Sequence, residues 1–172
     1  AYGGVCVEKR DLYDENKKLT GKTIFKDEET PENYYILVVV LLLQNDKDEF
    51  LIQKRSPEKG GEWAFTGGHP KAGESSLEGM YTEVKEEIGI DINKPILFKE
   101  ASGKNVFCDL YYIKQNVDLN DIKLTDGEVD DVKYASISEI NKLYKEGKFK
   151  KGHYNMFLDC LDYLGVKYDN NN

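Results

Sequence analysis

Three glutamates, Glu83, Glu86 and Glu87, stand at i, i+3 and i+4 behind a loop built on Gly67, Gly68, Pro70 and Gly73. No other stretch of the chain limits the fold as tightly. The glycines and the proline exclude a helix or strand interior across the loop. Ser75, with Glu78 three residues on, has the spacing of a capping box and marks a helix start. Leu77, Met80, Tyr81, Val84 and Ile88 then recur at helical spacing as an apolar stripe. Gly89 stands where a left-handed C-cap would end the helix. On such a helix the glutamates share one face, and unneutralised they repel one another. Divalent cations such as Mg²⁺ or Mn²⁺ prefer clustered oxygen ligands and would reverse the sign of that interaction.

The flanking sequence reads as an α/β pattern. Tyr34 to Leu43 is a nearly continuous apolar run rich in Val and Leu, expected to form a central strand buried on both faces. It is far too short to cross a bilayer. A turn at Asn45-Asp46-Lys47-Asp48 leads to a second strand, Phe50 to Arg55, and Trp63 to Thr66 enters the glycine loop. Ile96 to Ala101, Val106 to Ile113 and Val129 to Ala135 are further strands. Ser136-x-x-Glu139 is a second capping box, opening a helix to about Tyr144, and Tyr154 to Leu164 is a last helix. Gly4 to Lys26 carries hairpin signals at Asp14-Glu15-Asn16 and Gly21. Asp169 to Asn172 is expected to fray.

The segment from Gly68 to Ile90 resembles the Nudix box, Gly-x5-Glu-x7-Arg-Glu-U-x-Glu-Glu-x-Gly-U with U apolar. Gly68, Glu74, Glu83, Val84, Glu86, Glu87, Gly89 and Ile90 match it, while Thr82 stands where the family has arginine. The order of strands suits the same fold from Tyr35 to about Leu164. The resemblance implies an α/β/α sandwich on a mixed β-sheet. It also implies one Nudix domain over residues 1–172, with residues 1–33 as an N-terminal extension. The implied activity is divalent-metal-dependent hydrolysis of a phosphoanhydride bond, in a nucleoside diphosphate linked to another moiety. Metals would sit on Glu83, Glu86, Glu87 and the Gly67 carbonyl, with Mg²⁺ or Mn²⁺ as the ion. Glu83 would orient or deprotonate water, and Glu74 would play a structural part. Relatives often recruit a further acid after the box. Glu128 is the candidate here, with Asp126, Asp130 and Asp131 as competitors and a solvated loop as the plain alternative. Relatives are also often homodimers.

Other residues carry two readings each. Lys54 and Arg55 could grip phosphate, Arg55 bidentately, or form a surface pair. His69 could touch substrate or face solvent. Trp63 and Phe65 are more in keeping with core than with a base-stacking platform, and His153 and Tyr154 with a helix entry. Gly68 and Gly73 have P-loop spacing, but Glu74 would repel the phosphates that a P-loop lysine holds.

The net charge of −8 argues against extended nucleic-acid binding, which draws on Lys and Arg. It is compatible with a small phosphorylated substrate once cations are bound. With 172 residues, 40% hydrophobic and 33% charged, the chain has the composition of a soluble domain, not a membrane protein. Cys6, Cys108 and Cys160 indicate neither a disulfide framework nor a zinc site, which favours a reducing, cytoplasmic home.

Thr82 raises the alternatives. Lys85 or Lys71 could replace the missing cation, the enzyme could be slower, or the domain could bind nucleotide without turnover. An isopentenyl-diphosphate isomerase shares the fold, and the LIQKRSPEKGGEW run looks like that branch. Its chemistry, however, needs a cysteine near Phe65 to His69, where none occurs.

Overall fold

The computed structural model describes residues 8–167, so the expected tail at 169–172 and the start of the hairpin at Gly4 lie outside the described residues. Nine strands and three α-helices follow in order. They are β1 (Lys9–Tyr13), β2 (Leu19–Phe25), β3 (Ile36–Gln44), β4 (Phe50–Arg55), β5 (Trp63–Ala64), β6 (Thr66–Gly68), α1 (Ser76–Ile88), β7 (Ile96–Gly103), β8 (Val106–Lys114), β9 (Val129–Ala135), α2 (Ile137–Lys145) and α3 (Lys151–Leu164).

β3 is the central strand. It runs parallel to β8 over its whole length, and β8 pairs antiparallel with β7. Its side chains alternate between two cores. Val40 and Leu42 face α2 and α3 through Ile140, Phe157 and Leu161. Val39, Leu41 and Leu43 face α1 through Met80, Val84 and Ile88. Helices on both faces of a mixed sheet make an α/β/α sandwich, as expected. Each fully buried aliphatic side chain in these layers contributes roughly 1.5–3 kcal/mol.

On its other edge β3 meets β4 at Gln44 opposite Phe50, and β6 then takes that edge at Val39 to Leu41. β4 therefore diverges from β3 and pairs with β5 and β9 instead. The divergence opens a cleft, and α1 borders it.

Both capping boxes form. Ser75 Oγ accepts from the Glu78 amide at 3.1 Å, and Ser136 Oγ from the Glu139 amide at 3.1 Å. Gly89 closes α1 at φ 72°, in the left-handed region. The apolar stripe needs correction. Leu77 and Tyr81 are 41% and 36% exposed, whereas Glu87 is buried. At 100° per residue, the buried face is rolled roughly 30° from the stripe toward the glutamates. Gly79 permits the roll: a Cβ there would collide with the Pro70 ring. α3 starts three residues before the expected Tyr154, since Lys150, its N-cap, makes no side-chain cap bond that sequence could announce.

β1 and β2 form the expected hairpin, with Asp14 to Lys18 as its turn. Gly21 is not part of that turn; it lies inside β2 at φ 80°. The hairpin is strapped to the sandwich. The Ala72 amide donates to the Lys9 carbonyl at 2.8 Å, and the Gly73 amide to Asp11 Oδ2 at 2.9 Å. Lys17 Nζ reaches the buried Asp109 at 2.6 Å.

Candidate active site

A cleft of about 680 Å³ opens where β4 leaves β3. The glutamates Glu83, Glu86 and Glu87 of α1 form its acidic wall, and Asp126 and Glu128 from the segment before β9 also line it. Arg10 of β1, Lys26, Arg55 of β4, Lys59, Lys85 and Lys150 bring positive charge to the lining. Gly67, Gly68 and His69 line it too.

The three glutamates are held differently. Glu87 is buried and accepts from Gln53 Nε2 at 2.7 Å, and Gln53 Oε1 in turn accepts from Thr66 Oγ1 at 2.8 Å. Burial pushes Glu87 up to about 7, against the Gln53 hydrogen bond and with Asp126 and Glu128 adding to the rise. Glu86 accepts from Lys71 Nζ at 2.6 Å. Glu83 accepts no hydrogen bond among the described residues, and its carboxylate lies so close to Gly68 that a Cβ there would overlap it. Burial, then the charges of Glu87 and Glu86, push Glu83 up to about 8. These carboxyls are crowded, and without added positive charge Glu83 keeps its proton near neutral pH.

Thr82 does more than its length suggests. Its Oγ1 donates to Glu74 Oε2 at 2.6 Å, while Glu74 Oε1 accepts from the Lys71 amide at 2.7 Å. Glu74 is thereby fixed at the loop–helix junction, outside the cleft. Of the two cations considered as replacements for arginine, Lys71 pairs with Glu86, and Lys85 lies 3.4 Å from the exposed Asp91.

Lys54 does not line the cleft; it is exposed, and the strand alternation turns it away from the cleft that Gln53 and Arg55 line. Arg55 lines the cleft but is ion-paired with Glu62. His69 lines it too, and burial, followed by the charges of Arg10, Lys150 and Lys26, lowers it to about 4, so the ring is neutral near pH 7. Of the acids after the box, Glu128 and Asp126 reach the cleft; Asp130 and Asp131 do not. Glu128 lies 3.7 Å from Lys59. Phe65 and Trp63 behave as expected of structural aromatics: Phe65 is core, and the Trp63 ring lies under Lys133.

Sequence reasoning missed Gln53, Arg10, Lys26, Lys150 and His153, all on the cleft. Gln53 could have been found, because it shares a strand face with Arg55. His153 is buried and accepts from the Phe65 amide at Nδ1, 3.0 Å, and burial lowers it to about 3. Neither described cysteine lines the cleft; Cys108 and Cys160 are both buried in the core.

The donor set is hard oxygen, which suits Mg²⁺ or Mn²⁺ over softer metals. Among the described residues no three such groups are already converged on one point. The fit therefore rests on the crowded, proton-hungry carboxylates, of which Glu83 lacks any donor.

The sequence model of the NUDIX domain matches residues 34–160. The chain belongs to the Nudix family. It is 33% identical over 149 residues to an uncharacterized Nudix hydrolase of Listeria monocytogenes, covering 83% of this chain and 88% of that protein. Two solved structures share the Nudix architecture at lower identity. A Deinococcus radiodurans protein, DR0079, superposes with a TM-score of 0.73 at 16% identity, over 89% of this chain and 99% of that one. The Nudix domain of Shewanella oneidensis NrtR, solved with ADP ribose, superposes with a TM-score of 0.64 at 14% identity, over 76% and 88%. Nudix hydrolases generally use divalent metals, and the acidic wall is where this chain would hold them. No helix among the described residues is long and apolar enough to cross a membrane.

Proposed function

We propose that this Nudix hydrolase cleaves a phosphoanhydride bond in a nucleoside diphosphate linked to another moiety, with Mg²⁺ or Mn²⁺ as cofactor. The observation that carries the reading is a single cleft lined by both clustered carboxylates and several cations. Phosphoryl transfer needs both kinds of group, because the reacting phosphates must be neutralised while water is activated in line.

Glu86, Glu87 and the Gly67 carbonyl would hold the divalent ion, with Glu128 or Asp126, which line the same cleft, completing the set. When bound, the ion supplies positive charge to the phosphate oxygens and acidifies water. Glu83 would take a proton from the attacking water at its carboxylate, which ionises near neutrality once bound cations offset the crowding by Glu86 and Glu87. The water oxygen bonds to phosphorus as the bridging P–O bond breaks, and the leaving phosphate departs with the electron pair. Lys26 and Lys150, which line the cleft, would face the negative charge of the phosphates. Gln53 keeps Glu87 oriented through its 2.7 Å hydrogen bond. The ADP ribose bound to the Shewanella domain supports a nucleotide-derived small molecule as the ligand class.

A panel of nucleoside diphosphate derivatives, assayed with each metal for phosphate and nucleotide release, tests the reading. Turnover is expected to require metal and to collapse in Glu86→Gln and Glu87→Gln. Metal-dependent ligand binding without release from any panel member would instead make the domain a binding module.

A further inference from the structure

Arg10 presents a buried Nε with no hydrogen-bond partner, the one side-chain atom of that kind among the described residues. Glu83 presents a carboxylate with no donor among the described residues. Both border the same cleft, although no direct ion pair joins them. Arg10 also borders the narrow gap behind the cleft, together with Glu74 and Lys71. Arg10 thus borders both the cleft that Glu83 lines and the gap that Glu74 lines.

The placement of Arg10 is built into the hairpin. Its chain neighbours Lys9 and Asp11 accept the Ala72 and Gly73 amides, so β1 is sewn to the loop that carries Glu74. Arg10 pairs in register with the buried Ile24, and Leu12, on the same hairpin face, is buried too. The other nearby cation of that loop, Lys71, is committed to Glu86 and Glu8.

We infer that Arg10 is the positioning residue for Glu83, supplying from the N-terminal hairpin the positive charge that Thr82 cannot supply from within the helix. Burial lowers Arg10 on balance, and the charges of Glu8 and then Glu83 oppose that lowering. A residue that holds a base carboxylate in place acts on the chemical step. A residue that only grips substrate phosphate acts on binding. The inference rests on the hydrolytic reading for its kinetic arm alone.

The test uses the full chain. Arg10→Met is expected to lower kcat about tenfold or more while KM stays within about twofold. Arg10→Lys should recover part of the loss. Thr82→Arg, which returns a guanidinium from the helix, should raise kcat more in the Arg10→Met background than in the wild type. Thermal unfolding of the metal-free proteins gives an arm that needs no substrate. Arg10→Met should lower Tm more when Glu83 is present than in a Glu83→Gln background, because neighbours that interact are not additive. A rise in KM at unchanged kcat would make Arg10 a phosphate ligand and overturn the inference. So would a kcat loss that neither Arg10→Lys nor Thr82→Arg repairs, or equal Tm losses in both backgrounds. If the wild type turns over no substrate, the hydrolytic reading fails, and the thermal arm still decides for or against Arg10.

Discussion

Without metal, the protein should become less stable as pH rises through neutrality, and Glu83→Gln should remove most of that loss. Glu83 lies at about 8 in the folded chain against an ordinary 4.5. A raised carboxyl binds its proton more tightly when folded. Its stabilisation is therefore complete below about pH 4.5 and is lost as pH climbs through about 8. The gap of about 3.5 units, at about 1.36 kcal/mol each, sets a ceiling near 5 kcal/mol. The group is partly open to the cleft, and solvent screening brings the expected loss to about 2–3 kcal/mol. Glu87, raised to about 7, acts in the same window. Urea unfolding in chelator at about pH 4.5 and about pH 8.5 measures the difference. Glu83→Gln should exceed the wild type by about 2 kcal/mol at the alkaline end and match it at the acid end. Excess Mg²⁺ or Mn²⁺ should restore the wild type more than the variant, because ligand binds the folded state only. A wild type whose stability is flat or rising over this range, or a variant weaker than it at the alkaline end, would refute the account of Glu83 as a crowded, undonated anion.

Three further outcomes are expected. Gly68→Ala should abolish turnover while the protein still folds, since the new Cβ takes space that the Glu83 carboxylate occupies; circular dichroism beside the substrate panel checks this. Lys54→Ala should leave KM unchanged, whereas Lys150→Ala should raise it, because only Lys150 lines the cleft. His153→Phe should cost about 1–3 kcal/mol at neutral pH by stranding the Phe65 amide. It should also flatten the acid limb: a histidine lowered to about 3 gives stability that is present above about pH 6.5 and fades as pH falls, and denaturant midpoints across that range would read it.

The parts of this fold that were legible in sequence are those whose signals are local. Both capping boxes, the Phe50–Arg55 and Val129–Ala135 strands and the αL stop at Gly89 each depend on residues a few positions apart, and each forms as read. The boundary at Lys150 was missed because that helix begins without a capping side chain. The orientation of α1 was misjudged because periodicity gives a helix a face but not a roll. The roll is set by Pro70 packing on Gly79, a contact between a loop and a helix. The same division runs through the site. The glutamates follow from spacing, and Gln53 was within reach from strand alternation. Arg10 and Lys150 come to the cleft only through long-range contacts, such as Lys17 with Asp109 across 92 positions and Lys150 with Trp63.

This division bears on how departures from the box should be weighed. Gly68 fills a steric requirement: a Cβ there would have to push the Glu83 carboxylate out of its place. The arginine absent at Thr82 fills an electrostatic one. Charge acts through space, and a guanidinium can reach the same carboxylate from any element that borders the cavity. Thr82 keeps a local 2.6 Å bond to Glu74 but brings no charge. A charge can come from another strand, and Arg10 borders the cleft that Glu83 lines. A substitution at a steric position of the box therefore predicts lost activity. One at its charged position predicts only that another cation must be sought in the folded chain, and here the N-terminal hairpin, outside the matched residues 34–160, is where it is found.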